Sequence, residues 1–159
     1  MNEQTRQRVA QAQADLMRAL VANGPIPAGF DDSRVRIAAR SLVNKRRNAL
    51  ARIWPRLPTI LGDKYIELFN AYAMANPMPE CAIPKADGRA FLRWLESQKP
   101  LSDAARIEAF AFDARFSVTS RGIGRRRGFL LSWMRRNEAP GSVIVLRIPW
   151  LGEWWWGAG

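Results

Sequence analysis

The chain has 159 residues and a formal net charge of +11, with 25 lysines and arginines against 14 acids and no histidine. A hydrophobic fraction of 48% is typical of one globular domain, and a chain of this length forms a core without metals or disulfides. Without histidine there is no Ser–His or Cys–His pair, and the scattered carboxylates form no metal-binding pattern. We therefore expect no catalytic residue, no metal and no cofactor, and we interpret the chain as a binding protein that is not an enzyme.

Cellular location is constrained by what the sequence lacks. Cys81 is the only cysteine, so no internal disulfide forms and nothing favours an oxidising compartment. The N-terminus has no signal pattern, and no run approaches about 18 apolar residues. These features predict a soluble cytoplasmic protein without a membrane partner.

Two amphipathic helices are predicted in the first third of the chain. Apolar residues at three- and four-residue steps predict a helix over residues 3–23, with Val9, Ala12, Leu16 and Leu20 on its apolar side. A second helix follows from about Ser33 towards Ile53, capped by Asp31 and Asp32. Its buried positions are expected at Val35, Ala39, Leu42 and Val43. No acid falls between Ser33 and Leu61. The solvent side of the helix is basic: Arg34, Arg36, Arg40, Lys45, Arg46, Arg47 and Arg52.

Three further helices are predicted after a break at Trp54-Pro55, because a proline biases the residue before it away from helical geometry. Residues 57–61 are expected to form a short turn. Helices then follow over 63–76, over 87–98 and from a cap at Ser102-Asp103. Their apolar stripes are Tyr65 or Ile66 with Phe69, Tyr72 and Ala73; then Phe91, Trp94 and Leu95; then Ile107, Phe110 and Ala111.

After Arg115 the apolar pattern changes to alternation, which predicts strands near residues 116–118, 129–133 and 143–147. Residues 137–141, Asn-Glu-Ala-Pro-Gly, are typical of a hairpin loop. Helices first and strands last indicate an α+β fold that is mainly α. We expect a bundle of about five helices over residues 1–114 and a small antiparallel β region over 115–159 that packs on the bundle.

The tryptophans divide into core and surface candidates. Trp54 and Trp94 fall at helical core positions, and Trp133, which alternates with Leu131 on a strand, is expected to pack against the helices. The run Trp154-Trp155-Trp156 cannot face one way on a strand, so at least one ring should be exposed. Either the run is an interface hot spot, or the C-terminal segment wraps the molecule and buries two of the three rings.

Residues from about 35 to 115 carry a recognisable pattern of apolar and turn residues. It comprises an Arg-Asn pair at Arg47-Asn48, Pro55-Arg56-Leu57 before Leu61-Gly62, an aromatic helix ending Ala75-Asn76-Pro77, and Ala90-Phe91 before Trp94-Leu95. This pattern resembles the helical domain of the MbnC- and HvfC-like partner proteins, which work with multinuclear non-heme iron oxidases that modify ribosomal peptides.

The resemblance implies a helical bundle followed by a small sheet that receives the leader of a precursor peptide as an added strand. The partner oxidase would hold the iron, and arginines near the sheet would complement an acidic leader. The expected peptide-binding residues are Arg121, Arg125, Arg126, Arg127, Trp133, Arg135, Arg147 and Trp154. The expected interface with the oxidase comprises Arg46, Arg47, Arg52 and Trp54.

A basic nucleic-acid-binding protein is the alternative. The second helix has the charge to contact phosphates, although no helix-turn-helix, zinc-finger or RNA-motif signature accompanies it. A third hypothesis is a subunit of a larger assembly whose basic faces are interfaces. Salt-dependent affinity for unrelated duplexes or single strands would favour nucleic acid, whereas a stable complex with an oxidase would favour peptide recognition.

Overall fold

The computed structural model of the protein describes residues 2–77, 83–119 and 122–157, so Cys81 and Arg121 lie outside the described residues. Within these ranges the fold is α+β and mainly α, as predicted. The helices are α1 (Glu3–Ala22), α2 (Asp32–Ile53), α3 (Arg56–Leu61), α4 (Tyr65–Ala75), α5 (Pro84–Gln98) and α6 (Asp103–Arg115), with a 3-10 turn at Gly62–Lys64. The strands are β1 (Phe116–Thr119), β2 (Gly122–Arg125), β3 (Leu130–Arg135), β4 (Ser142–Ile148) and β5 (Gly152–Trp156).

An aromatic core lies between α2 and the helices that follow it. The Phe91 ring is fully buried and lies 5.4 Å from the ring of Phe69 and 5.2 Å from that of Tyr72. The predicted apolar stripe of α4 is confirmed. The sequence left Tyr65 and Ile66 as alternatives for one position of the stripe, and in the structure Tyr65 is buried whereas Ile66 is exposed. Aromatic pairs at these separations stabilise a core beyond the area that they bury.

The N-terminal helix is less buried than its pattern predicts. It packs mainly on α2, and Ala19 is its buried residue among those described. Ala12, Leu16 and Leu20 are half-buried, and the expectation for Val9 is wrong because its side chain is exposed. A helix that packs mainly on one neighbour buries only a narrow stripe, so α1 contributes little to the core.

Boundaries shift at two places in the middle of the chain. Residues predicted as a turn form the short helix α3, which ends where Gly62 takes a φ of 56°. The next shift is at α5, which begins at Pro84 instead of residue 87. Proline is favoured in the first turn of a helix because the amide hydrogen that it lacks has no partner there. The prediction from apolar periodicity alone therefore placed the first residue of α5 too late in the sequence.

The β region consists of two antiparallel sheets instead of one. Strands β1 and β2 form a hairpin, and β3, β4 and β5 form a three-stranded sheet in that order. In the larger sheet Leu131 lies opposite Leu146, and Leu146 opposite Trp154. Strand β5 comes from the C-terminal segment with the tryptophan run, whose strand character the alternation pattern did not reveal.

Helix α6 lies between the bundle and the three-stranded sheet. Ala105, Ala109 and Phe112 belong to the bundle core, whereas Phe110 meets the ring of Trp155 edge-on at 5.7 Å. The predicted buried positions Ile107, Phe110 and Ala111 are half-buried, because the helix divides its apolar residues between two neighbours. This arrangement places the C-terminal end of α6 beside the sheet.

The loop between β3 and β4 is tied to the start of α6. The Asp103 carboxylate accepts the backbone N–H groups of Asn137 at 2.7 Å and Glu138 at 2.9 Å. The Glu138 carboxylate in turn accepts the Asp103 N–H at 2.8 Å. The Asn137 amide, with that of Glu138, lowers the pKa of Asp103 because these bonds favour the carboxylate. The hairpin is thereby fixed against the bundle.

Candidate functional site

A cleft of about 570 Å³ opens where the end of α6, the end of β2 and the turn between β4 and β5 meet. Five arginines and one carboxylate contribute to its lining: Arg115, Arg125, Arg126, Arg127, Arg147 and Glu153. Chain topology explains this gathering, since Arg115 ends α6, Arg125 ends β2 and Arg147 lies near the end of β4. With five positive charges and one negative charge, the cleft is suited to an anion.

Two of these arginines are held by the protein itself. Arg115 donates to the Glu153 carboxylate at 2.8 Å, and its guanidinium lies 5.2 Å from the ring of Trp155. The Arg147 guanidinium donates to the backbone oxygens of Arg126 and Ala114, and its Nε lies 3.5 Å from Glu153. The two cations share a single carboxylate and form the fixed wall of the cleft.

The other three arginines are exposed. Arg125, Arg126 and Arg127 form no ion pair with a carboxylate in the described part of the chain. Arg126 is positioned by its backbone, whose N–H donates to the Arg115 oxygen at 2.8 Å, and its Nε donates to the Phe116 oxygen at 3.2 Å. Guanidinium groups recognise carboxylates and phosphates through paired hydrogen bonds, so these three are available to an anionic ligand.

The predicted peptide-binding residues do not all lie together. The structure brings Arg125, Arg126, Arg127 and Arg147 into the cleft, and Arg121 lies outside the described residues. Arg135 ends β3, five residues beyond the Leu130 that pairs with Arg147, which is roughly 16 Å along the strand. Arg135 is therefore remote from the arginines of the cleft.

Trp133 and Trp154 occupy a different surface from the cleft. Both side chains are exposed on the face of the three-stranded sheet that points away from α6, 71% for Trp133 and 42% for Trp154. The expectation that Trp133 packs against the helices is wrong, because the inward positions of β3 are Leu130, Ser132 and Met134. An alternating strand can present either set to the core, and the register with β4 decides between them.

The tryptophan run follows the alternation of β5. Trp155 points towards α6, where its indole N–H donates to Glu153 at 2.7 Å, while Trp154 and Trp156 are exposed on the other face. The prediction that at least one ring is exposed is confirmed. The alternative in which two of the three rings are buried is wrong, since only Trp155 is turned inward.

The predicted oxidase interface on α2 needs correction at two residues. Arg46 is buried rather than solvent-facing, and its guanidinium donates to both Asp87 carboxylate oxygens at 2.8 and 2.7 Å and to the Asn76 backbone oxygen at 2.8 Å. Trp54 is buried as well, and its ring stacks on Phe112 with centroids 5.1 Å apart. Neither side chain is available to a partner in this fold, whereas the core prediction for Trp54 is confirmed.

Burial and the neighbouring Asp87 shift the pKa values of Arg46 and Tyr72. Burial alone lowers the pKa of Arg46, but the hydrogen bond and charge of Asp87 outweigh that effect and raise the pKa above its ordinary value. Burial, and then the 2.7 Å hydrogen bond to the Asp87 carboxylate, raises the pKa of Tyr72. Arg46, Tyr72 and Asp87 form a structural network, because both carboxylate oxygens of Asp87 accept hydrogen bonds within the core.

Two predicted interface residues remain near the surface. Arg47 is half-buried with its Nη1 3.4 Å from the Asn70 side-chain oxygen, and Arg52 is exposed. On α2, Arg36 and Arg40 are exposed and lie within about 40° of Arg47 around the helix axis, whereas the exposed Lys45 lies on the opposite side, near Arg52. Arg36, Arg40 and Arg47 form a basic face of α2, which is a second cationic surface separate from the arginine cleft.

Sequence reasoning missed Glu153, the acid that organises the cleft. A signal existed, because Glu138 and Glu153 are the only acids after Arg115. Over residues 2–77, 83–119 and 122–157 no group of three or more acidic or cysteine side chains is placed to hold a metal ion. The same residues include no helix with the length and apolar character needed to span a bilayer.

The fold and its surfaces define a basic, mainly helical α+β protein with an arginine-lined cleft beside a small C-terminal sheet. The chain belongs to the SCO6045-like C-terminal domain family, which matches residues 10–97, from α1 to the last turn of α5. A UPF0276 protein of Streptomyces avermitilis is 48% identical over 73 residues. That match covers 46% of this chain and 15% of the relative.

The family match therefore concerns the helical bundle. The family match ends before the cleft and the three-stranded sheet begin. No solved structure matches the chain. The resemblance to the MbnC- and HvfC-like partner proteins stays a prediction, since neither match carries information about an oxidase or a precursor peptide.

Proposed function

We propose that the protein is a non-catalytic recognition subunit that binds an acidic ribosomal precursor peptide and presents it to a larger, metal-dependent oxidase. The observation that carries this proposal is the cleft itself, where Arg125, Arg126 and Arg127 are exposed beside two arginines already held by Glu153. Exposed arginines form charge-assisted hydrogen bonds with an anionic ligand and speed its encounter with the protein. An acidic leader satisfies both requirements.

The neighbouring sheet supports an extended ligand over a compact one. Strands β3 and β5 are the two edges of the three-stranded sheet, and β5 follows directly from the turn that lines the cleft. An edge strand offers main-chain hydrogen bonds to an added strand, and the charges beside it select for acidic side chains. A peptide that enters along β5 would pass Glu153 and the exposed arginines.

A larger partner is supported by how the domain occurs in a relative. The Streptomyces avermitilis protein matches this chain over only 15% of its own length, so there a segment similar to 73 residues of this chain belongs to a much longer polypeptide. A domain that is joined to a larger protein in one case suits association with a separate larger protein in another. We infer that Arg47 and Arg52, which are not sealed in the core, belong to that contact.

We also infer a cytoplasmic location. The single cysteine among 159 residues suits a reducing compartment, where disulfides do not persist. The partner hypothesis is tested by coexpression with a metal-dependent oxidase encoded beside this protein, followed by size-exclusion chromatography. A complex that elutes together supports the proposal, and separate elution of two folded proteins contradicts it.

The peptide site is tested by fluorescence anisotropy with a labelled, glutamate-rich synthetic peptide. The triple variant Arg125→Ala, Arg126→Ala and Arg127→Ala should weaken binding at least about 10-fold, because three charge-assisted contacts are lost. The matched control removes the same charge from α2 through Arg36→Ala, Arg40→Ala and Lys45→Ala, and should retain nearly full affinity. Equal losses in both triple variants would mean that net charge, and not the cleft, binds the peptide.

Nucleic-acid binding is the second candidate function, and the basic face of α2 is the observation that favours it. Under this hypothesis the α2 triple variant loses affinity for a labelled single-stranded oligonucleotide, whereas the cleft variant keeps it. Affinity would also fall steeply with salt, by roughly 10³-fold between about 50 and 200 mM if six or more phosphates were contacted. The two triple variants and the two probes thus separate the candidates.

A further inference from the structure

The outer face of the three-stranded sheet is an exposed apolar surface that the proposed function does not use. The register places its side chains in two cross-strand rows, which we call the tryptophan face: Leu131, Leu146 and Trp154 in one row, and Trp133, Ile144 and Trp156 in the other. Five of the six are exposed, and Leu146 is half-buried. Directly opposed residues on neighbouring strands have Cβ atoms about 5 Å apart, so the rows form one continuous patch.

The size of this patch is comparable to that of the largest apolar patches on single-chain proteins, which are about 300–600 Å² and often functional. Its three tryptophans are 71%, 42% and 51% exposed, which leaves roughly 400 Å² of ring uncovered if a whole side chain presents about 250 Å². Leu131 and Ile144 add to this area at 57% and 38% exposure. Contiguous apolar patches of more than a few hundred Å² mark interaction surfaces, and tryptophan is the residue type most enriched at interface hot spots.

We propose that the tryptophan face is the interface of a symmetric homodimer, in which it stacks on the same face of a second copy of this chain. The sheet is covered on one side only, by α6, and a sheet with one open apolar face is half of a two-sheet sandwich. A second copy supplies the other half, with the two sheets about 10 Å apart and their side chains interdigitated.

A homodimer covers the tryptophan face of both copies completely. A twofold axis presents the same patch from both subunits, so a closed dimer leaves no copy of the face exposed. The three tryptophans alone supply about half of the roughly 800 Å² that each partner buries in an interface of standard size. The two rows contain no charged residue, and Arg135 lies at one corner, so stacking buries no unpaired charge.

The charge of the chain gives this dimer a diagnostic salt response. Each copy carries a net charge of +11, so two copies repel each other, and salt screens that repulsion. Association through the tryptophan face therefore strengthens as salt rises. Binding of an acidic peptide or a nucleic acid to the basic surfaces changes in the opposite direction. The arginine cleft and the tryptophan face are separate surfaces. The dimer can therefore be confirmed or rejected without deciding the proposed function.

The test is sedimentation equilibrium of the full chain at about 5 to 100 µM in about 0.1 and 0.5 M NaCl. The expected result is a mass approaching twice the 18.0 kDa of the chain, with tighter association at the higher salt concentration. The double variant Trp133→Ser and Trp156→Ser should sediment as a monomer under all conditions, as should the single variant Trp133→Lys. Circular dichroism of both variants verifies that the fold is retained.

The matched control is Met74→Ser, which removes an apolar side chain that is 64% exposed on α4 and should leave the dimer unchanged. A chain that stays monomeric at both salt concentrations overturns the proposal, as does a dimer that persists in folded Trp133→Lys. A monomer that instead binds vesicles of phosphatidylcholine and phosphatidylserine through this face, with loss of binding in the double variant, assigns the face to a membrane surface and equally rejects the dimer.

Discussion

Replacing Asp87 with asparagine should destabilise the protein more than replacing any exposed carboxylate. Asp87 accepts two bonds from Arg46 and one from the Tyr72 hydroxyl, all between 2.7 and 2.8 Å. The side chains of Arg46 and Asp87 are 6% and 8% exposed. In the variant the guanidinium keeps the Asn76 oxygen and the faces of Phe69 and Tyr72, but no negative charge balances it.

The expected loss follows from leaving a cation buried without its counterion. Removing one partner of a buried ion pair costs about 3–5 kcal/mol, against a total unfolding free energy of about 5–15 kcal/mol for a typical domain. For a chain of this length each kcal/mol lowers Tm by about 2–4 °C, so the variant should melt roughly 6 to 20 °C lower. The double variant Arg46→Met and Asp87→Leu should recover part of this loss, because it buries no charge.

Urea unfolding followed by tryptophan fluorescence and circular dichroism measures these differences. The control is Glu3→Gln, which removes an ion pair with Arg6 whose side chains are 71% and 63% exposed. Exposed pairs contribute about 0–1 kcal/mol, so this variant should be nearly neutral. If Asp87→Asn costs less than about 1 kcal/mol, the Arg46 network does not organise the core as described.

Two further predictions concern the core and alkaline pH. Gly88→Ala should cost about 1–3 kcal/mol in urea unfolding, because a Cβ there lies 2.2 Å from Nε1 of the buried Trp54 ring, whereas Gly128→Ala meets nothing within 4 Å and serves as the control. A Gly88→Ala variant as stable as the wild type would show that the ring can move aside. Burial raises the pKa of Tyr65 to about 12 and also raises that of Tyr72. Both groups have a pKa of about 10 when unfolded, so their contribution to stability is complete below pH 10 and is lost as pH rises towards 12. The two are the only tyrosines, so tyrosinate absorbance should stay low in the native protein at about pH 10 and be half developed in urea; equal curves would contradict this burial.

The arginines show what the sequence could and could not predict about the exposure of charged side chains. Arg125, Arg126 and Arg127 are consecutive, and no fold could hide all three charges, so their exposure was predictable from local sequence. Arg46 belongs to a similar basic run, but its partner Asp87 is 41 residues away. No local pattern reveals that the helix turns this one cation inward to meet a carboxylate from α5.

The tryptophans show the corresponding limit for strands. Alternation along β3 separates Leu131 and Trp133 from Leu130, Ser132 and Met134 but does not say which set faces the helices. The apolar content of the first set favoured the core, and the structure places it outside. The inward positions of the sheet are instead filled by Val143 and Val145 of β4, both fully buried.

The sequence alone determined the order of the five longer helices and of strands β1, β3 and β4, because apolar periodicity, proline breaks and capping residues act over a few positions along the chain. It also determined the strongly basic character and the absence of any histidine-based chemistry. Only the tertiary structure decided which arginines converge on Glu153, which one is sealed in the core and which tryptophans remain in solvent. Those outcomes depend on strand register and helix packing, which bring together residues that are distant in sequence.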